Sequence, residues 1–480
     1  MTTRYAVEIF FAIAVKKLRQ FGIECVFKDA IAGPTTKGQG ARLLLHPLPF
    51  TFRQMQGKTM VGIAAPTATL FRAEEISAGR RWTAFAFLMI AEFFYGWSWN
   101  TVDVLRPQIR ESLGLTLTQA GSAYTAQSLG ALVGAIILGQ IADRFGRRRT
   151  LFWVIAGYAV FGGLGTLVAS FPQLLAQRFF LGLFLGGIFP VLIATYMSLF
   201  PSTMRGKLAA LGQGTYNISV VALGWAYGTQ IGQTDWHFLL WAGAIPPLLI
   251  APLVFVFLPD DRHMQPWGAD AAPPPTGKLP MIELFTPTLV RRTMLLFLLV
   301  GLNFFAYQAF AGWVTTYLKD VKEYSAEVAS KIVYWQFIGA VIGGFFWGWF
   351  SDRYGRRTSA IGFFIGGLSV ILYLAFLKTP TQLQYGGAVW GFMITASVAW
   401  APWMSELFPA HLRSTAMSIF NWGRIISMTA PLVTGAVAEA YGLTSAMLLS
   451  AVAFVAAGVV WLMIPETVGK WAKKEAPEQP

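Results

Sequence analysis

The chain has 480 residues, of which 55% are hydrophobic and only 12% charged, with a mean hydropathy of +0.53. Soluble domains carry about 25% charged residues, so this composition excludes an ordinary soluble enzyme and places the chain in the bilayer. The net charge of +14 lies mostly in short loops between apolar runs, where Arg and Lys report cytoplasmic topology rather than a nucleic-acid surface.

In chain order, residues 1–80 form a mixed N-terminal extension with Lys16, Lys17, Arg19, Lys28, Lys37 and Arg42 and no long apolar span. Tyr5 to Val15 is apolar, but Glu8 interrupts it and Lys16-Lys17 follow it, the wrong side for a signal peptide. The extension reads as a disordered cytoplasmic tail or as a gene-model artefact, with Met55 or Met60 as the start. The single cysteine, Cys25, lies here and excludes an intrachain disulfide.

From Trp82 onward, twelve apolar spans are expected, near 82–105, 118–142, 150–170, 173–198, 207–230, 237–258, 293–317, 327–350, 359–377, 383–405, 414–437 and 443–464. Each is long enough for a spanning helix of about 20 residues. Residues 259–292 interrupt the series with Asp260, Asp261 and the Pro273-Pro274-Pro275 run, and read as a cytoplasmic linker. The expectation is therefore an all-α membrane protein of twelve transmembrane helices in two pseudo-symmetric six-helix halves, 81–258 and 293–466, with a cytoplasmic tail at 467–480.

A repeat supports the two halves. GQIADRFGRRRT runs from Gly139 to Thr150 and GWFSDRYGRRTS from Gly348 to Ser359, an offset of 348 − 139 = 209. FPSTMRG from Phe200 and FPAHLRS from Phe408 repeat at 208. Two unlike motifs at nearly one spacing mean a duplicated half. Loops after the even-numbered spans hold the Arg-rich clusters, which puts both termini in the cytoplasm.

The doubled G-x-x-x-D-R-x-G-R-R motif, after spans 2 and 8 of twelve, resembles the major facilitator superfamily over about residues 82 to 466. More narrowly, Ser405 to Gly435 and Asn303 to Leu318 resemble proton-coupled carboxylate symporters of the sialate/lactate and aromatic-acid types. That resemblance implies alternating access, protons and a small organic anion as partners, no cofactor, a monomer, and a bacterial inner (plasma) membrane.

Ionisable residues inside a span cost at least about 2.5–3.5 kcal/mol, so each needs a partner or a wet cavity. Glu92 and Asp103 in span 1, Arg178 in span 4 and Arg424 in span 11 stand out. The resemblance implies an acid in span 1 pairing with an Arg in span 4, here Asp103 with Arg178, for proton coupling; Asn100 stands where relatives often carry a first acid, which keeps Glu92 as the alternative proton site. Arg424 falls about eleven residues into span 11, near the midplane, and its fork suits a carboxylate. Gln127, Gln213, Tyr216, Asn217, Asn303, Tyr307, Gln308, Gln336, Trp400 and Trp422 are expected to line the cavity, while Trp97, Trp99 and Trp313 fit an interfacial belt as well as a cavity.

The repeated loops read as a gate. Gly139 is expected to allow close helix approach, and Asp143 to accept from Arg147 or from a helix start in the other half. Arg144, Gly146, Asp352, Arg353, Arg356, Glu406 and Arg413 complete the set.

The leading function is proton-coupled uptake of a mono- or aromatic carboxylate. A drug–proton antiporter is disfavoured because such exporters resemble one another in a Gly-Pro-rich fifth span, whereas Gly206 to Gln230 contains several Gly but no Pro, and a sugar porter because a sugar gives Arg424 no counter-charge. An intramembrane enzyme finds no support: there is no nucleophile–base set, no H-E-x-x-H and no phosphate loop, and His46, His237, His263 and His411 are scattered; a sensor stays as an open alternative, although the long cytoplasmic domain expected of one is not seen.

Overall fold

In lipid a backbone can satisfy its own polar groups only as helix or closed barrel, and the long apolar runs of this chain are helical. The structure, a computed structural model, describes residues 71–468 apart from 202–203, 230–234, 268–279 and 410–411. The side chains of Asp143, Arg205, Pro280, Ser405, Arg413 and Ser414, and all of the extension before residue 71 with Cys25, Met55 and Met60, also lie outside the described residues.

The first group of helices is α1 (Ala78–Val104), α2 (Arg106–Leu113), α3 (Leu117–Phe145), α4 (Arg147–Leu164), α5 (Phe171–Leu199), α6 (Arg205–Tyr227) and α7 (His237–Ile250). The second is α8 (Val290–Asp320), α9 (Ala326–Tyr354), α10 (Ile361–Ala375), α11 (Pro380–Ile394), α12 (Trp400–Leu407), α13 (Arg413–Met417), α14 (Ile419–Trp422), α15 (Arg424–Ser427), α16 (Ala430–Tyr441) and α17 (Leu443–Leu462). Among the described residues, eight helices are long and apolar enough to cross a membrane, so the protein is an all-α, multi-pass membrane protein. The stretches at 78–104, 205–227, 380–407 and 413–441 fall outside that eight.

Hydrophobic packing forms two cores, one from residues within 73–264 and one within 284–464 that also takes in Val220. A two-stranded parallel pairing of Phe71–Arg72 (β1) with Met264–Gln265 (β2) closes the first group.

One crossing sets the geometry inside each group. A Cβ on Gly130 or Gly134 of α3 would lie 2.0 or 1.8 Å from the carbonyl oxygens of Phe179 and Leu183 on α5. Gly182 and Gly186 return the contact at 1.9 and 2.0 Å from the oxygens of Gln127 and Ala131. In the second group Gly339 and Gly391 meet Ala388 and Gln336 oxygens at 2.0 and 1.9 Å. Such small-residue faces let membrane helices touch backbone to backbone. Gly139, expected to serve this purpose, does not: a Cβ there meets nothing within 4 Å, because the contacting face runs through Gly130, Gly134 and Leu138, which meets Gly187, and Gly139 is turned off it.

The first expected span is one helix that stops, as expected, at Leu105, and Pro107, which lacks an amide hydrogen and fits a first helical turn, starts α2. The eleventh is four pieces, α13 to α16, because tighter bonds such as Ser418 N–H to Thr415 O (3.0 Å) and Ile426 N–H to Gly423 O (3.1 Å) replace the regular ladder.

Contacts between the groups lie in the middle of the bundle and toward the end opposite the DRxGRR loops. Thr125 Oγ1 donates to Met428 O at 2.7 Å, and the Thr118 amide donates to Glu439 Oε1 at 2.9 Å. Arg110 pairs with Asp320 (2.6 Å) and Lys319 with Glu111 (2.5 Å).

Candidate functional site

Asp103 sits on the last turn of α1 and is 6% exposed. Its Oδ1 accepts from Arg106 Nη2 at 2.6 Å and its Oδ2 from Gln308 Nε2 at 3.2 Å, while its backbone oxygen accepts from Thr315 Oγ1 at 2.8 Å. The ion pair expected with Arg178 is therefore made by Arg106, three residues on, where the break at Leu105 turns its guanidinium inward. Arg106, one residue past the first expected span, is 1% exposed and lies 4.3 Å from the Trp313 ring centroid. Trp97, Trp99 and Trp313 are all buried, so they are interior residues rather than a belt.

Arg178, on α5, is equally buried and donates through Nη1 to Thr101 Oγ1 (3.3 Å) and Gln127 Oε1 (3.4 Å). Gln127 Nε2 in turn donates to Trp99 O at 3.0 Å. A cavity of about 10 Å³ beside Arg178, lined by Ser98, Thr101, Gly162, Arg178, Leu181, Leu240 and Gly243, has room for about one water. Glu92 is 4% exposed, with Oε2 lacking a hydrogen-bond partner among the described residues. The tyrosines Tyr95, Tyr158 and Tyr196 bear on it electrostatically.

Arg424 opens α15 directly after Gly423, whose Cβ would lie 2.6 Å from Val300 Cγ1 and 3.0 Å from the Gly301 amide nitrogen on α8. This crossing fixes the guanidinium between the Trp99 ring, 4.3 Å away, and Phe304, 5.9 Å away. Among the described residues it has no ion-pair partner, whereas Tyr95 and Tyr124 act on it electrostatically.

The other predicted lining residues divide. Tyr216 accepts from Asn100 Nδ2 at 2.9 Å; Tyr307 faces Trp390 at 6.0 Å between centroids; Gln308 bridges to Asp103; Asn217 and Asn303 are buried. Gln336 is 1% exposed with neither amide atom partnered among the described residues. Trp400 packs in a ring cluster with Phe363, Phe420 and Trp461, and Trp422 stacks on Phe285, so packing occupies both; Gln213 is exposed.

At the loops, Gly146 and Gly355 hold φ of +94° and +112°, a backbone that favours glycine. The helix that follows each is capped by a carboxylate from beyond the sixth or twelfth expected span. Asp261 accepts from the Arg147 and Arg148 amides at 2.6 and 3.1 Å, and Glu466 from the Arg356 and Arg357 amides, both at 2.9 Å. Arg147 Nη1 donates to Ala194 O (3.0 Å), and Arg148 pairs with Asp260 (2.9 Å). Arg356 binds Asp352 (2.5 Å) and Glu406 (2.9 Å). Arg144 lies 5.6 Å from the Phe145 ring, and Arg353 is exposed. These contacts stay within one helix group, while the latch expected of Asp143 and Arg413 falls on side chains outside the described residues.

The model of the Major Facilitator Superfamily matches residues 88–335 and 325–480. The chain belongs to the Major Facilitator Superfamily. Among its relatives, the cis,cis-muconate transport protein of Acinetobacter baylyi is 27% identical over 78% of this chain and 92% of that protein. The gallate transporter of Pseudomonas putida is 25% identical over 75% and 86%, and the 3-(3-hydroxy-phenyl)propionate transporter of Escherichia coli 24% over 81% and 95%. A bacterial homolog of the human lysosomal transporter Spinster, in an inward-facing and unoccupied conformation, superposes with a TM-score of 0.67 at 16% identity, covering 81% of this chain and 98% of that one.

For a Major Facilitator Superfamily transporter, three residues in this arrangement escaped sequence reasoning. Arg106 carries a weak signal, an Arg three residues after a span acid. Asp261 and Glu466 follow helix-ending prolines, Pro259 and Pro465, but only coordinates show them capping distant helices.

Proposed function

We propose that the protein is a proton-coupled importer of a small organic anion, a mono- or aromatic carboxylate, working as a monomer by alternating access. Twelve spans in two pseudo-symmetric halves, 81–258 and 293–466, joined by the linker 259–292, move against each other, with both termini in the cytoplasm of a bacterial inner membrane. The spacing of 209 recurs in Gly130 and Gly339, Gly134 and Gly343, and Gly146 and Gly355, which supports the halves.

The observation that carries the reading is Arg424: a guanidinium at a helix break, flanked by aromatic rings and without an ion-pair partner among the described residues. A carboxylate supplies the missing charge, and a conjugated or aromatic acid also suits the Trp99 and Phe304 faces. Relatives named for muconate, gallate and hydroxyphenylpropionate transport are consistent with such an anion. Tyr216, Asn217, Asn303, Tyr307 and Gln308 shape the cavity around it, with Gln127 behind. Asp103 carries the proton, with Arg178 and Gln127 setting the polar field behind it and Glu92 as the alternative carrier. The doubled loops, with Asp143, Glu406 and Arg413, gate the cytoplasmic end.

Arg424→Ala removes a charge-assisted contact of about 1.5–3 kcal/mol, so anion affinity is expected to fall about 10- to 150-fold while the protein still inserts. Equilibrium binding to the purified protein checks it; unchanged affinity would sink the clamp.

A further inference from the structure

Asp103 and Arg106 are both buried, and together they touch the second helix group in three places. Gln308 Nε2 donates to Asp103 Oδ2 (3.2 Å), Thr315 Oγ1 donates to the Asp103 carbonyl (2.8 Å), and the Arg106 guanidinium lies 4.3 Å from the Trp313 centroid. Trp313 is itself pinned. It is fully buried, its indole N–H donates to Thr434 Oγ1 at 2.6 Å, and Thr434 donates to Ala430 O at 2.7 Å. One buried guanidinium thus ties α2 to α8 and, through Trp313, to α16.

We propose that Arg106 is the latch of the end opposite the DRxGRR loops, and that it holds this end shut only while Asp103 is charged. The proposal rests on the alternating-access part of the function above and not on the identity of the anion. Arg106 Nε and Nη1 have no hydrogen-bond partner among the described residues, and its ion pair is with Asp103. A guanidinium that loses its counter-charge inside a protein is strongly disfavoured there and favours any state in which it reaches water. Opening this end is that state, so a proton arriving on Asp103 unlocks it.

The other groups around the pair do not replace it. Arg178 acts on Asp103 across α5 but is a cation engaged with Thr101 and Gln127. Tyr124 of α3 and Tyr307 of α8 bear on Asp103 as neutral hydroxyls. The ion pairs that join the two groups at this end, Arg110–Asp320 and Lys319–Glu111, have side chains about a quarter exposed or more, where solvent and salt weaken them. Arg106 is thus a positioning residue, acting through the packing of two helix groups.

Spin labels at Glu111→Cys and Lys319→Cys, on a Cys25→Ser background of the full chain in liposomes, read whether this end is closed. The parent is expected to show mainly the short distance. Asp103→Asn should raise the ratio of long to short distances about tenfold or more, and Arg106→Gln in that variant should return it to within about twofold of the parent, because no buried charge remains. Acidification should open the parent and leave the double variant unmoved, which tests the idea without relying on the Asp103→Asn single variant. An Asp103→Asn distribution identical to the parent, or a double variant as open as Asp103→Asn alone, overturns the latch. Loss of the anion clamp at Arg424 would leave these distances unchanged, so the two ideas fail separately.

Discussion

Gln127 and Gln336 stand 209 positions apart, at the same turn of α3 and α9, and they live in different worlds. Gln127 gives its amide hydrogen to Trp99 O and takes one from Arg178. Gln336 has no partner among the described residues, and the position 209 after Arg178 is Gly387, whose Cβ would lie 3.6 Å from Gln336 Cβ. The two groups share the glycine crossings that bring their helices together. They differ in what the crossing holds: a guanidinium network in the first group, and close packing around a lone amide in the second. The lesson is that a shared scaffold constrains small residues at contacts, while charges are free to specialise. Glu92, Asp103, Arg106 and Arg178 belong to the first group, and Arg424 to the second.

The shared part of the comparison predicts the largest effect. Gly130→Ala and Gly339→Ala each push a Cβ into a backbone oxygen 2.0 Å away, and overpacking of this kind costs about 3 kcal/mol. Gly139→Ala meets nothing within 4 Å, so it should be neutral or stabilise by up to about 1 kcal/mol through helix propensity. Thermal unfolding in detergent ranks the three, and a Gly139→Ala variant as damaged as Gly130→Ala would restore the motif glycine to a packing role.

The divergent part predicts opposite responses to one substitution. Gln127→Leu strips a hydrogen bond from buried Arg178 and should cost about 2 kcal/mol. Gln336→Leu removes an amide with no partner and should change stability by less than about 1 kcal/mol, or raise it. Equal destabilisation of both would mean that the groups differ less than their hydrogen bonds imply.

The smallest effect concerns the contact that joins the groups at Glu439. The Thr118 backbone N–H, at the start of α3, holds the Glu439 carboxyl below the usual carboxylate range. A depressed value in the folded protein means that the contact is fully present above the ordinary carboxylate value and is lost as pH falls through the depressed one. Glu439→Gln should therefore weaken closure of this end slightly at neutral pH and make no difference in acid, as the same spin-label distances would show.

Much of this was legible before any coordinates. Apolar runs with loop charges announce a multi-pass helical protein, because lipid leaves the backbone few alternatives. The doubled DRxGRR loops announce the family, and a lone Arg in a late span announces Arg424. Three things were not legible. The Asp103–Arg106 pair depends on a one-residue helix break at Leu105 that turns a loop residue inward. Trp313 fits a belt as well as a cavity until its indole is seen bonded to Thr434. Gly139 looks like a contact glycine because the motif is visible, whereas Gly130 and Gly134, which make the contact, sit in ordinary apolar sequence. Contacts between distant spans carry no local pattern, so only the folded arrangement reveals them.

The central claim is proton-driven uptake of a carboxylate, and uptake into proteoliposomes under an imposed pH gradient tests it most directly. With lactate, benzoates, nicotinate and sialate as the panel, the account predicts uphill accumulation of at least one carboxylate with the gradient, collapsing when the gradient is dissipated. Accumulation of none of them, with gradient-driven movement of cationic dyes out of the vesicles instead, would contradict it.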